Sequence, residues 1–249
     1  MAGIGLVVTG WVIGAPRLTN LWPARLAFRD LPGLTPFRML ETPGSLSTGA
    51  GLLAGLDGAA QPGAAQQAHI ATVRADPCAA LFGTLTDARL PVAFFSDFNC
   101  PNCRVLDAVL LEYDAANPGT IRIVRHELPL LGAASTIASQ AVLAADLQGG
   151  YVAMHARLMR TGLISDLNLV VSIAGSVGLD GQRLVADMQS ARIAEALDTA
   201  RAIASVFGFY GTPSTVIGRT MFVGAIPAAV VSQIIAAELA AQPMACKGP

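Results

Sequence analysis

The chain has 249 residues, 53% hydrophobic and 13% charged, with a net charge of −1 at pH 7. That length allows one good-sized core with extra segments, or two small domains. With a single lysine, Lys247, and no basic tract, the chain does not read as a nucleic-acid binder. Its four cysteines are too few to staple a miniature fold.

Residues 2–15, AGIGLVVTGWVIGA, carry no charge. The run falls short of the roughly 20 residues that cross a bilayer and matches the apolar region of a secretory signal. Residues 1–16 therefore predict a signal peptide or short membrane anchor, and a periplasmic or otherwise extracytoplasmic protein, secreted or tethered to the membrane by its N-terminus. The charge order runs the other way: no positive residue precedes the run, whereas Arg17, Arg25 and Arg29 follow it. A buried N-terminal strand or helix is the plain alternative. Residues 17–77 read as a linker or irregular arm, because 43–68 mix Gly, Ala, Pro and Gln without period. Phe28, Leu31 and Phe37 are too apolar for a purely solvated tether, so part of the arm is expected to pack on a surface.

From residue 78 the signals sharpen. PVAFFS (91–96) is a short continuous apolar run, the pattern of a strand covered on both faces. CPNCRVLDAVLLEYDAA (100–116) follows as a helix, stopped by NPG, and IRIVRHEL (121–128) is the next strand. Helices are predicted at 135–147, 151–160, 166–176, 180–189 and 191–207. A short hairpin about Gly218-Arg219 and a last helix from Pro227 to about 241 complete the chain. The order is βαβ, a helical block, then ββα. A strand–helix–strand unit at this spacing implies a parallel pair with a right-handed crossover.

Cys100 and Cys103 stand where the first of these strands turns into its helix. Pro101 suits the first helical turn, where a missing N–H costs nothing. Cys100 would then lie at the helix N-terminus, whose free N–H groups and dipole stabilise a thiolate. A thiolate of lowered pKa is a good nucleophile and leaving group. Cys103 comes one turn later, in reach to close a bridge. A zinc site would need two further ligands, and Cys78, Cys246, His69, His126 and His155 offer no second short pair. A purely structural bridge across so small a loop would constrain the unfolded chain little. Thiol–disulfide exchange is the reading that uses the whole pattern.

FSDFNCPNCR (95–104), HELPLLGAASTIASQAVLAADLQGGYVAMHARLM (126–159) and FGFYGTPSTVIGRTMFVGAIP (207–227) together resemble the DsbA-like branch of the thioredoxin superfamily. The resemblance spans about 85–242. It implies an α/β thioredoxin fold, residues 78–245, with a helical insertion at about 132–207 and an irregular N-terminal arm before it. It further implies a redox-active Cys100–Cys103 disulfide with no other cofactor and no metal. Cys100 would form mixed disulfides with thiol-bearing client proteins, Cys103 would be the buried resolving thiol, and a membrane redox partner would recycle the pair. Pro213 falls on the family's cis-proline, with the Thr212 backbone pairing to an extended client.

The sequence also departs from the family. Many relatives carry a buried carboxylate six positions before the first cysteine, where this chain has Phe94. Asp97, expected to be partly exposed at the strand end, suits either loop capping or proton transfer; Glu127 or a water could replace the missing group. Asn102 adds no positive charge beside the thiolate, so a milder oxidant is expected than with His there. Arg104 reads as a solvated helix residue or a source of positive potential. Cys78 and Cys246 flank the domain and could form a second disulfide. The expected function is a protein thiol:disulfide oxidoreductase acting as an oxidase. The alternatives are a reductase or isomerase using the same atoms, or a non-enzymatic metal-binding or chaperone protein of this fold.

Overall fold

Alternate residues of one central strand point into two different cores, and this organises the fold. In the computed structural model, which describes residues 26–41 and 63–241, strand β3 (Leu90–Ser96) sends Val92 and Phe94 to one side of the sheet. Ala93 and Phe95 go to the other. Six of its seven residues are buried, as a strand covered on both faces requires.

Among the described residues the sheet has six strands; with β1 (Ala27–Asp30), β2 (Arg38–Glu41), β4 (Ile121–Glu127), β5 (Ser214–Ile217) and β6 (Thr220–Val223), their order is β1-β2-β6-β5-β3-β4. β3 pairs in parallel with β4 (Ile121–Glu127) through helix α3 (Pro101–Ala116), with Phe94 opposite Arg125 and Ser96 opposite Glu127. On its other side β3 runs antiparallel to β5 (Ser214–Ile217), which forms a hairpin with β6 (Thr220–Val223). The hairpin turns at Gly218, φ +55°, where a Cβ would lie 2.7 Å from a Glu238 carboxylate oxygen. Only glycine meets both demands.

Between β4 and β5 lies the helical block: α4 (Ala133–Asp146), α5 (Tyr151–Met159), α6 (Leu167–Ser176), α7 (Gly181–Asp187) and α8 (Ala191–Phe207). Helix α9 (Ala228–Ala240) closes the fold. Helices α3 and α9 cover the Val92/Phe94 face, together with buried residues of α4 to α7. The opposite face is covered by α8 with α1 (Ala64–Ala75) and α2 (Pro77–Phe82). The mixed sheet, its flanking helices and the inserted block are the expected α/β thioredoxin fold.

Part of the stretch expected as a linker is built into this fold. Strands β1 (Ala27–Asp30) and β2 (Arg38–Glu41) form a hairpin, and β2 adds in parallel to the β6 edge. Phe37 is buried and packs edge-on to Phe207, ring centroids 5.1 Å apart. Arg38 lies over the Phe28 ring and donates to Glu238 at 2.8 Å. α1 packs along α8. The pairing escapes a sequence reading because its anchor, Glu238, is 200 residues from Arg38. The proposed signal or anchor segment, 1–16, lies outside the described residues; among those described, no helix is long and apolar enough to cross a membrane.

Candidate active site

Helix α3 begins at Pro101 and is capped by Cys100, whose backbone is extended (φ −86°, ψ 115°). The cap is the sulfur itself: Cys103 N–H donates to Cys100 Sγ at 3.4 Å, the role an Asp or Ser oxygen plays in most helices. Pro101 occupies the first turn. Cys100 is almost fully buried and Cys103 completely so, and both thiols are free.

The two thiols are driven apart in acidity. A hydrogen bond from the Cys103 thiol, helped by Thr212 and by the backbone N–H groups of Cys103 and Asn102, outweighs burial and brings Cys100 down to about 6. The same bond and the same burial push Cys103 far up. One sulfur is thus an anion near neutrality while its neighbour keeps its proton, the asymmetry that thiol exchange requires. Asn102 contributes its backbone N–H, and its side chain is exposed.

The Thr212–Pro213 peptide is cis. The Thr212 carbonyl accepts from the Cys100 thiol at 3.3 Å, so the loop before β5 lies against this sulfur.

Asp97, expected to be partly exposed, is completely buried. One carboxylate oxygen accepts from Asn99 N–H at 2.8 Å, and the other from Leu130 and Leu131 N–H at 2.8 and 2.9 Å. Three backbone donors repay its desolvation, so it anchors the β4–α4 loop to the turn before Cys100. Arg104, read as a solvated helix residue or a source of positive potential, is half-buried and donates to the carbonyls of Phe98 and Gly162.

Asn99, which the sequence reading passed over, is a third tether. Its amide donates to Ser135 Oγ (3.2 Å) and the Ile164 carbonyl (3.1 Å), and its oxygen accepts from Ile164 N–H (2.9 Å). A polar residue between two buried neighbours was the available signal. Three side chains of SDFNCPNCR thus bind loops of the helical block to the cysteine turn. Those loops carry exposed Leu130, Leu131 and Leu163, and Tyr210 is exposed two residues before Thr212.

Phe94 is completely buried in the apolar core, with no polar atom to offer Cys103. Titratable groups are found one strand over. Asp107 and Arg125 pair at 3.1 Å; Tyr151 hydroxyl donates to Glu127 at 2.5 Å. Burial brings Glu127 up to about 7. His126 stacks on Phe95 and bonds the Leu81 carbonyl, a scaffold role. Cys78, in α2, is disulfide-bonded; Cys246, its expected partner, lies outside the described residues. Among the described residues no group of three His, Cys, Asp or Glu side chains could hold a metal.

Residues 91–236 match the DSBA-like thioredoxin domain family. Among solved structures, a thioredoxin-like oxidoreductase from Silicibacter pomeroyi DSS-3 is 32% identical, with a TM-score of 0.61 over 66% of this chain and 99% of that one. The catalytic domain of Proteus mirabilis ScsC is 26% identical, TM-score 0.59, over 71% and 99%. The thiol-disulfide exchange protein alpha-DsbA2 from Wolbachia pipientis shares the fold at 19% identity, TM-score 0.59, over 71% and 99%. No curated protein matches the chain significantly. With a family match over residues 91–236 and a paired-cysteine helix start within it, the chain belongs to the DSBA-like thioredoxin domain family of thiol-disulfide oxidoreductases.

Proposed function

We propose that this protein oxidises thiols of client polypeptides through the Cys100–Cys103 pair. The observation that carries the reading is the split in acidity between a helix-capping Cys100 and a buried Cys103. A client thiolate attacks Cys100 Sγ of the disulfide, and Cys103 leaves with the electron pair. A second client thiolate then attacks the client sulfur and expels Cys100, which leaves readily because its thiolate is stable. Thr212 and Pro213 border the sulfur and suit an extended client strand pairing with the Thr212 backbone. Exposed Leu130, Leu131, Leu163 and Tyr210 around them suit apolar, unfolded clients.

A thiolate near 6 stabilises the reduced protein at pH 7 by about 1.4 kcal/mol, or about 30 mV for this two-electron couple. That favours oxidation of clients, but mildly. The disulfide at Cys78 supports an extracytoplasmic site of action, where a membrane redox partner would reoxidise the pair.

A glutathione redox series tests direction. A potential between about −200 and −130 mV is expected, and one at or below about −270 mV would make the protein a reductant. Cys100→Ser should abolish oxidation of a reduced dithiol peptide; retained turnover in that variant would overturn the assignment of Cys100.

A further inference from the structure

In either direction of exchange the Cys103 proton has to move, and Phe94 offers nothing to receive it. On α3, Asp107 follows Cys103 by four residues and lies on the same side, and it pairs with Arg125 of β4. Glu127 follows Arg125 by two residues, so it faces the same way, toward α3. Four helical residues rise about 6 Å and two strand residues about 6.6 Å. The helix descends from the cysteines while β4 ascends toward them, which brings Glu127 to the level of Cys103. Helix α5 repeats the two tiers: Tyr151 bonds Glu127, and His155, one turn on, comes within 4.0 Å of Asp107.

Two atoms of the upper tier are orphans. Glu127 Oε2 and Ser96 Oγ are buried and have no hydrogen-bond partner. They belong to register partners on adjacent parallel strands, so both side chains leave the sheet on the Val92/Phe94 face, the one that α3 covers. Buried polar atoms are rarely left unpaired, and two of them on neighbouring register positions of one face suit a buried water.

We propose that Glu127 exchanges the proton of the Cys103 thiol, through the Ser96 hydroxyl and buried water. This rests on the thiol-exchange reading above. In the resolving direction Cys103–SH gives its proton to the Glu127 carboxylate. The Cys103 thiolate attacks Cys100 Sγ of a mixed disulfide, the Cys100–Cys103 bond forms, and the client sulfur departs with the electrons of the broken bond. In client oxidation the steps reverse, and the Glu127 carboxyl protonates Cys103 as it leaves.

The surroundings of Glu127 suit the task. Burial raises it to about 7; Tyr151 and Arg125 oppose that rise, while Asp107 and Asp97 add to it. His155 faces the same cluster as a neutral ring, pushed down to about 3 by burial and then by Arg125. An acid–base group is most effective with a pKa near the working pH.

The test mixes reduced full-length protein with excess fluorescent glutathione disulfide and follows the two thiol releases across pH. The first is bimolecular and belongs to Cys100; the second is unimolecular and belongs to Cys103. In the wild type the second rate should rise with pH to an inflection near 7 and then level. In Glu127→Gln that inflection should vanish, with a loss on the order of 100-fold at pH 7. In Tyr151→Phe the inflection should move to higher pH, because the carboxylate loses its donor; a purely structural role would not shift it. An unchanged inflection in Glu127→Gln overturns the relay. If that variant does not fold, an unmoved inflection in Tyr151→Phe overturns it instead. Absence of the first release in the wild type would defeat the exchange reading itself, a distinct outcome.

Discussion

Asn99 separates holding the site from tuning it. None of the interactions that lower Cys100 comes from this side chain; they come from Cys103, Thr212 and the helix N–H groups. Asn99→Ala would leave the N–H and carbonyl of Ile164 without their partner, at about 1 kcal/mol for each bond lost. A melting temperature lower by about 4–8 °C is expected for a chain of this size. The thiolate absorbance of Cys100 should still titrate near 6. A midpoint moved by more than a full unit would mean that Asn99 sets the acidity as well as the position.

At the scale of elements, Glu238 joins three parts of the chain. It is almost fully buried on α9 and accepts from Arg38 of β2, from Arg219 in the β5–β6 turn, and from Thr220 of β6. Its desolvation raises the carboxyl, but the bonds from Thr220, Arg219 and Arg38 prevail and hold it below the usual range. Removing one member of a buried ion pair costs about 3–5 kcal/mol. Both arginines are roughly a quarter exposed, so about 2–3 kcal/mol is the expected loss for Glu238→Ala. The β1–β2 hairpin should loosen first, seen as faster amide exchange in residues 38–41 than in β3. Equal exchange in both strands would show that the hairpin has other anchors.

For the whole molecule, buried titratable groups set a pH profile. Burial lowers His126 to about 4 and His155 to about 3, so both are neutral when folded and charge on unfolding. Each contributes stability that is full above about 6.5 and is lost as pH falls toward the folded value. Glu127 acts in the opposite sense: raised to about 7, it contributes stability below about 4.5 that is lost as pH rises through 7. Two histidines outweigh one glutamate, so acidification from pH 6.5 to 4 should cost on the order of 2–4 kcal/mol. Urea unfolding of the Cys100–Cys103 disulfide form, in which neither thiol titrates, measures this. Glu127→Gln removes the opposing group and should lose stability more steeply on acidification. A flat wild-type profile would contradict the buried, neutral histidines.

The cysteine pair at a helix start and the core α/β order were legible in the sequence because both are local. A helix start needs only Pro101 and its neighbours, and strand β3 announces itself by an unbroken apolar run. What tertiary structure decided is what lies across the fold from each residue. Asp97 reads as a strand-end carboxylate, and only the returning β4–α4 loop makes it a buried anchor for Leu130 and Leu131. Residues 26–41 read as an arm, and only Glu238 makes part of them a sheet edge. Phe94 shows that the expected carboxylate is missing, yet the register of β3 on β4 is what puts Glu127 beside Ser96. Composition and spacing act along the chain, whereas a buried charge finds its partners through space, and three-dimensional packing alone sets those distances.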